Sequence, residues 1–257
     1  MTKLAQSETE ALKRYEVLEN VLIVQSRFAL IGEMLQIIAH QWRQPLSTMA
    51  MVSGKMRIEA LLETHPKPEL LQDIAVIDAN INYLFNTIED FKNFFEPEVQ
   101  KKWHNAQKIT TLLRTLSAPI LKFHNIELEI KFHDTREFFI YASELLQVLL
   151  SLVSNAKDAI NEHQSEDGKI IIHCEDIVET QHYRISISDN GSGISADVIE
   201  NMFEPYISTK GKDGTGVGLY MAKTIIQKHF QGTLRGENTA DGSCFIIEFP
   251  TTTKELL

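Results

Sequence analysis

The stretch HYRISISDNGSGI (residues 182–194) changes character at one residue. Its first part is rich in isoleucine and tyrosine and reads as a β-strand. The strand ends on Asp189, and Gly191 and Gly193 follow almost at once. An aspartate at that point offers a carboxylate that can accept a hydrogen bond from an amino group. The glycines let bare backbone amides approach a ligand closely.

Two other short stretches belong with this one. SLVSNAKDAI (residues 151–160) lies in a strong helical pattern running from Ser143 to about His163, and puts Asn155 and Asp158 on one helix face. Asn155 carries an uncharged oxygen of the kind Mg²⁺ accepts. KGKDGTGVGL (residues 210–219) sets Gly211, Gly214, Gly216 and Gly218 just ahead of a helix expected over 218–230. Loose glycine amides followed by a helix N-terminus favour an anion such as phosphate. The spacing is neither that of a Walker loop nor that of a dinucleotide-binding turn.

The surrounding pattern predicts a helix over 105–124 and strands at IELEIKFH, EFFIYA, GKIIIHCED and HYRISISDN. A hairpin is predicted from GTLRGEN and SCFIIEFP. Strands mixed with three helices in no simple alternation imply an α+β sandwich, helices on one sheet face, over residues 103–252.

Residues 28–97 are different. Leu70, Ile74, Ile77, Ile81, Leu84, Ile88, Phe91 and Phe95 recur at spacings of four and three, as do Phe28, Ile31, Leu35, Ile38, Trp42, Pro45, Met49, Val52 and Met56. Both are heptad seams. The turn THPKP (residues 64–68) between them implies an antiparallel helical hairpin. Two copies pairing into a four-helix bundle would cover both stripes, so a homodimer is expected. Val17, Val21 and Val24 extend the stripe, making residues 1–27 a coiled-coil helix suited to carrying a signal. His40 falls on the face away from the seam, one turn before Pro45, which distorts a helix at a cost of ~3 kcal/mol. An exposed imidazole beside a distortion is a presentation site.

The formal charge of −10 disfavours nucleic acid and anionic membrane as partners. Two distant cysteines, Cys174 and Cys244, fit a reducing cytoplasm rather than a disulfide framework. No stretch has the apolar length of a membrane span or the pattern of a signal peptide.

Taken in order, these motifs resemble those of the sensor histidine kinases of bacterial two-component systems, over roughly residues 26–250. AHQWRQPL resembles the phospho-acceptor box, SNAKDA the asparagine box, and DNGSGI the first glycine box. MFEPYISTK resembles the phenylalanine box and GTGVGL (Gly214–Leu219) the second glycine box. The resemblance implies a Bergerat-type ATP-binding domain using ATP and Mg²⁺. His40 would accept a phosphoryl group and pass it to the receiver domain of a response regulator. Asn155 would ligate Mg²⁺, with Asp158 beside it, and Asp189, Gly191 and Gly193 would hold adenine. Lys210, Gly214, Thr215, Gly216, Gly218 and Leu219 would line the phosphates as part of a lid anchored by Phe203. Neutral imidazole, with an ordinary pKa of ~6.5, is a competent nucleophile.

The sequence departs from the family at Gln41, where an acidic residue commonly assists proton removal, and at Gln44, where a side chain that orients water for regulator dephosphorylation often stands. Ser151 replaces the base used by hydrolytic relatives of the ATP fold. A phosphatase-dominant or scaffold reading therefore stands beside the kinase reading, with an ATP-driven clamp as a further alternative. The input is expected from a separate sensor protein or a sensor domain outside this chain.

Overall fold

The computed structural model describes residues 3–62, 64, 67–95, 100–132, 137–165, 167–208 and 216–251. The chain divides into two compact units, one of residues 32–97 and one of residues 1–31 with 98–257.

The unit of residues 32–97 is a helical hairpin. Helix α1 (Lys3–Leu61) enters it and continues unbroken through Pro45; helix α2 (Lys67–Phe95) returns. Thr48 Oγ1 donates to the Gln44 carbonyl at 3.1 Å within α1. Lys55 Nζ donates to both Asp73 oxygens, at 3.0 and 3.2 Å, which fixes the register between the helices. The hydrogen bond to Asp73 raises the Lys55 pKa. On α2, Leu70, Asp73, Ile77, Asn80 and Leu84 turn inward to varying degrees, while Leu71, Ile74, Ile81, Phe85 and Ile88 are exposed. The heptad stripe is therefore only half covered within one chain.

The other unit is an α/β sandwich. Strands β2 (Ile126–Phe132), β4 (Gly168–Ile177), β5 (His182–Asp189), β7 (Ser243–Pro250) and β6 (Thr233–Asn238) form one sheet in the order β2-β4-β5-β7-β6. Only the β2–β4 pair is parallel. A separate antiparallel pair joins β1 (Lys102–Asn105) to β3 (Glu137–Ile140). Period-two alternation sends Ile170, Ile172 and Cys174 of β4 inward. Tyr183, Ile185 and Ile187 of β5 and Phe245, Ile247 and Phe249 of β7 also turn inward.

Helices α3 (Ala106–Phe123), α4 (Ala142–His163) and α6 (Gly218–Phe230) supply the apolar residues of the core, among them Leu113, Leu149, Leu152, Ile225 and Ile226. Phe138 of β3 joins them, with ring centroids 4.3 Å from Tyr183 and 6.2 Å from Phe249. The other sheet face is polar. Arg184 bridges its cross-strand neighbours Glu175 at 3.1 Å and Glu248 at 2.6 Å. Lys169 pairs with Glu129 at 2.9 Å across β2–β4.

The predicted helices and strands appear close to their expected bounds. Strand β1 and the four-residue helix α5 (Ala196–Ile199) were not foreseen, being too short to show periodicity. The start of α4 also differs. Tyr141 stands at its N-cap without a side-chain cap, and Ser143 is buried inside the first turn. Glu144 in that turn pairs with Nδ1 of His229 on α6, so its role is to join two helices.

Both cysteines are buried in the sheet, and burial raises both thiols, Cys174 to about 12. The reactive thiolate of Cys174 is then only ~10⁻⁴ of the population at pH 8. We expect neither thiol to react with a disulfide reagent within an hour in the folded protein, and both to react after denaturant unfolding. Native labelling of either one at pH 8 refutes that placement.

Candidate active site

The site is built where three elements end. The inward phase of β5 runs Tyr183, Ile185, Ile187 and then Asp189, so a carboxylate occupies a core-facing position and is only 6% exposed. Burying a charge there is costly unless it is hydrogen-bonded. Asp189 Oδ2 accepts the Ser243 hydroxyl at 2.6 Å. Its Oδ1 accepts the Gly191 amide at 2.9 Å and the Ser243 amide at 3.4 Å. A carboxylate has about four lone-pair sites. Among the described residues three donors fix its orientation, and one of those sites is not taken by them.

Helix α4 forms the floor. Ser151, Asn155, Asp158 and Ala159 share one stripe by helical spacing. At one end, a β-carbon on Gly191 would lie 2.5 Å from the Ala159 carbonyl carbon, and the Ser192 amide donates to the Ala159 oxygen at 3.0 Å. At the other end, a β-carbon on Gly218 would lie 3.0 Å from Ser151 Oγ. The two contacts are about 12 Å apart along the helix, with Asn155 midway. The Asp189 turn and the N-terminus of α6 thus bracket Asn155 from opposite ends. Asp158 lies beside it and pairs with Lys157 at 3.2 Å.

The segment entering α6 has its own constraint. Gly216 is left-handed (φ +61°), and its carbonyl accepts the Tyr206 amide at 2.9 Å. A side chain at Gly216 would meet the Tyr206 carbonyl carbon at 2.5 Å. Tyr206 is itself left-handed (φ +68°), a conformation uncommon for a non-glycine residue. Upstream, Lys223 of α6 holds its Nζ 5.0 Å from the centre of the half-buried Phe203 ring, a cation–π pairing. Gly218 and Leu219 open α6, and Gly193 lies in the turn after Asp189.

Of the residues expected from the sequence, the fold gathers Asn155, Asp158, Asp189, Gly191, Gly193, Gly216, Gly218 and Leu219. Lys210, Gly214 and Thr215 lie outside the described residues. The backbones of His40 and Gln41 lie within α1, in the other compact unit, while their side chains are outside the described set; Gln44 is exposed.

Residues not foreseen are Ser243, Lys223 and Asn238. Asn238 holds the Ile194 peptide on both sides, accepting from its amide at 2.6 Å and donating to its carbonyl at 2.8 Å. The signal for Ser243 was present in Gly242-Ser243 at the head of the last strand, where a small polar residue precedes an apolar run.

Residues 141–253 match the family model described as histidine kinase-, DNA gyrase B- and HSP90-like ATPase. The C4-dicarboxylate transport sensor protein DctB of Rhizobium meliloti is 26% identical over 241 residues, covering 93% of this chain and 37% of that protein. Sensor protein FixL of Bradyrhizobium diazoefficiens is 26% identical over 246 residues, covering 92% of this chain and 47% of its own. Residues 141–253 thus carry that ATPase domain, and over most of its length the chain is similar to proteins named as sensor histidine kinases. It spans less than half the length of these curated relatives. The solved catalytic domain of histidine kinase ThkA is 29% identical with a TM-score of 0.53, over 60% of this chain and 97% of that one. ThkA solved in complex with the response regulator protein TrrA is 24% identical with a TM-score of 0.52, over 98% and 68%.

The chemistry of these residues suits a nucleotide of the kind that the matched ATPase family takes. A buried, oriented carboxylate at Asp189 suits an amino group, and the positive end of α6 suits phosphate. We expect Ser243→Ala to weaken ATP binding about tenfold while the domain stays folded, as one neutral donor to the carboxylate is lost. Gly191→Ala should instead lower stability by several kcal/mol, because its β-carbon meets backbone rather than a movable side chain. Calorimetric titration with magnesium–ATP and thermal unfolding separate the two; equal effects of both changes on stability count against this assignment.

Proposed function

We propose that this chain is an ATP-dependent protein-histidine kinase that phosphorylates His40 and donates the phosphoryl group to an aspartate of a response regulator. The observation that supports this best is Asp189, a buried carboxylate oriented by three donors among the described residues and set beside the Asn155 stripe. The stretch AHQWRQPL, which resembles the family's acceptor box, lies in α1 of the same chain.

In the transfer, a ring nitrogen of His40 attacks the γ-phosphorus in line. A nitrogen–phosphorus bond forms, the bond to the β,γ-bridging oxygen breaks, and ADP leaves with the electron pair. The ring must be neutral to attack and sheds its second-nitrogen proton afterwards. Gln41 can accept a hydrogen bond from that nitrogen but is a poor base, so either autophosphorylation is slower than with an acidic residue there or the base lies elsewhere. Asn155 would present its side-chain oxygen to Mg²⁺, which supplies positive charge beside the phosphates when bound. Lys210, Gly214, Thr215 and the amides at Gly216 and Gly218 would face the phosphates.

The half-covered stripe on α2 supports a homodimer, in which Ile74, Ile81 and Ile88 of two copies would meet. Gln44, exposed one turn beyond His40, supports a regulator-phosphatase activity alongside the kinase. Ser151, against Gly218, cannot act as a general base, which weighs against an ATP-hydrolysing clamp. No described helix is long and apolar enough to cross a membrane; the input would come from a separate sensor protein or from a sensor domain outside this chain.

Incubation with γ-labelled ATP should label the protein through a bond stable to alkali and labile to acid. His40→Gln should remove all label while magnesium–ATP affinity stays within about twofold, because this reading gives His40 a role in the transfer step and assigns nucleotide contacts to residues 155–219. Asn155→Ala should remove label too, by weakening the magnesium-dependent part of binding at least about tenfold. Label that survives His40→Gln overturns the assignment of the acceptor.

A further inference from the structure

The turn that follows Asp189 is held from three directions. Ser243 holds the carboxylate itself from β7. The middle of the turn rests on α4, where the Ser192 amide donates to the Ala159 carbonyl at 3.0 Å. The far end is held by Asn238, the last residue of β6. Asn238 Oδ1 accepts the Ile194 amide at 2.6 Å, and its Nδ2 donates to the Ile194 carbonyl at 2.8 Å. Both polar groups of one side chain thus engage both backbone groups of one residue.

The position of Asn238 makes this hold specific. Alternation along β6 puts it in phase with the buried Leu234 and opposite in phase to Arg235. Asn238 pairs directly with Ser243 in the β6–β7 register. One cross-strand pair therefore holds the start of the turn through Ser243 and its end through Asn238. The hairpin joining them lies tight against the turn, since a β-carbon on Gly242 would come 2.3 Å from the Asp189 carbonyl oxygen. Between the two anchors Gly193 is left-handed (φ +72°), and a β-carbon there would come 3.0 Å from Asn238 Oδ1. A glycine is a loose joint, so Ile194 keeps its place relative to Asp189 only if something beyond the joint holds it. Packing does not ask for an asparagine at 238, because the residue is exposed. Two neutral hydrogen bonds at an exposed position add little to stability. What they secure is the orientation of the turn.

We propose that Asn238 is a positioning residue that sets the selectivity of the site for a nucleobase bearing an exocyclic amino group. The turn from Gly191 to Ile194 lies beside the buried carboxylate and forms a wall against which a base can rest. A hydrogen bond to Asp189 is directional. A wall that shifts at Gly193 spoils that one contact and leaves the phosphate contacts in place. Asn238 acts through the Ile194 peptide and not by touching the ligand. The selectivity role rests on the nucleotide-site reading; the hold of Asn238 on Ile194 does not.

The test uses the full chain, with ATP and inosine triphosphate as probes, the second carrying a carbonyl where ATP carries the amino group. Exchange of the Ile194 amide, followed by NMR, reports the hold. Asn238→Ala should speed that exchange roughly tenfold. It should weaken ATP binding about tenfold and inosine triphosphate binding less than about twofold. Asn238→Asp keeps the acceptor for the Ile194 amide and loses the donor to its carbonyl. Its Ile194 exchange should stay within about threefold of wild type, while its preference for ATP falls part of the way. Arg235→Ala, whose side chain faces Glu248 on the polar side of the sheet, should change neither readout.

Unchanged Ile194 exchange in the alanine variant overturns the hold. Equal affinity of the wild type for the two nucleotides, or equal losses in the alanine variant, overturns the selectivity role, because a general loosening of the domain acts on both. An aspartate variant that exchanges as fast as the alanine variant overturns Oδ1 as the acceptor. An equal response to Arg235→Ala overturns the assignment to Asn238. If the wild-type chain binds neither nucleotide, the nucleotide-site reading fails and the selectivity role fails with it, while Ile194 exchange still decides the hold.

Discussion

The ATP-binding domain depends on one costly act, placing the charge of Asp189 at a position that alternation assigns to the core. An isolated buried carboxylate is destabilising by several kcal/mol, so the surrounding chain is obliged to answer it. Ser243 answers with both its hydroxyl and its amide, and Gly191 with its amide. Each answer imposes a further constraint. The Gly191 amide reaches the carboxylate only because the turn presses onto the end of α4, where no side chain fits. Ser243 reaches it only because β7 pairs with β5 in the register that places Cys244 opposite Ser188. The strand order, the glycine turn and the helix contact are thus tied to one acid group, whose fixed orientation is the part left for function.

Helix α4 carries the second half of the arrangement by dividing its surface. Leu145, Leu149, Leu152, Val153, Ala156 and Ile160 are buried in the sandwich. The stripe of Ser151, Asn155, Asp158 and Ala159 is small and polar. Small residues at 151 and 159 let Gly218 and Gly191 close in from either end. Bulk at either position would separate α6 or the Asp189 turn from the stripe. The polar stripe is therefore shaped by close approach as much as by hydrogen-bonding chemistry, and a glutamate at 151 would change both.

Much of this could be read from the sequence because two periodicities are strong and undisturbed. The period-two runs at 168–177 and 182–189 and the heptad spacing over 70–95 appear where the patterns put them. Asp189 and Asn155 announced themselves as polar residues breaking apolar patterns. What stayed hidden was set by tertiary approach. Ser243 is an ordinary residue in an ordinary turn until β5 is laid beside β7. The left-handed Tyr206 has no sequence cue, because its conformation is fixed by the hydrogen bond to Gly216 across a loop. Strand β1 is four residues long and exists by pairing with β3, which brings Trp103 against Phe139 with ring centroids 5.5 Å apart. Short elements defined by a partner leave no periodic trace.

The heptad stripe carried a second message that spacing alone did not disclose. Val17, Val21 and Val24 read as a simple extension of the seam, and a seam says nothing about the residues between. Burial shows that Leu22 and Ser26, out of phase with the seam, are the covered ones. An α-helix advances about 100° per residue, so a face at 22 and 26 and a seam at 17, 21, 24 and 28 cannot be satisfied by one partner. The helix must serve two. The backbone of α1 nevertheless continues as helix from Lys3 to Leu61, so the two faces are set by side-chain phase and not by a break in the helix.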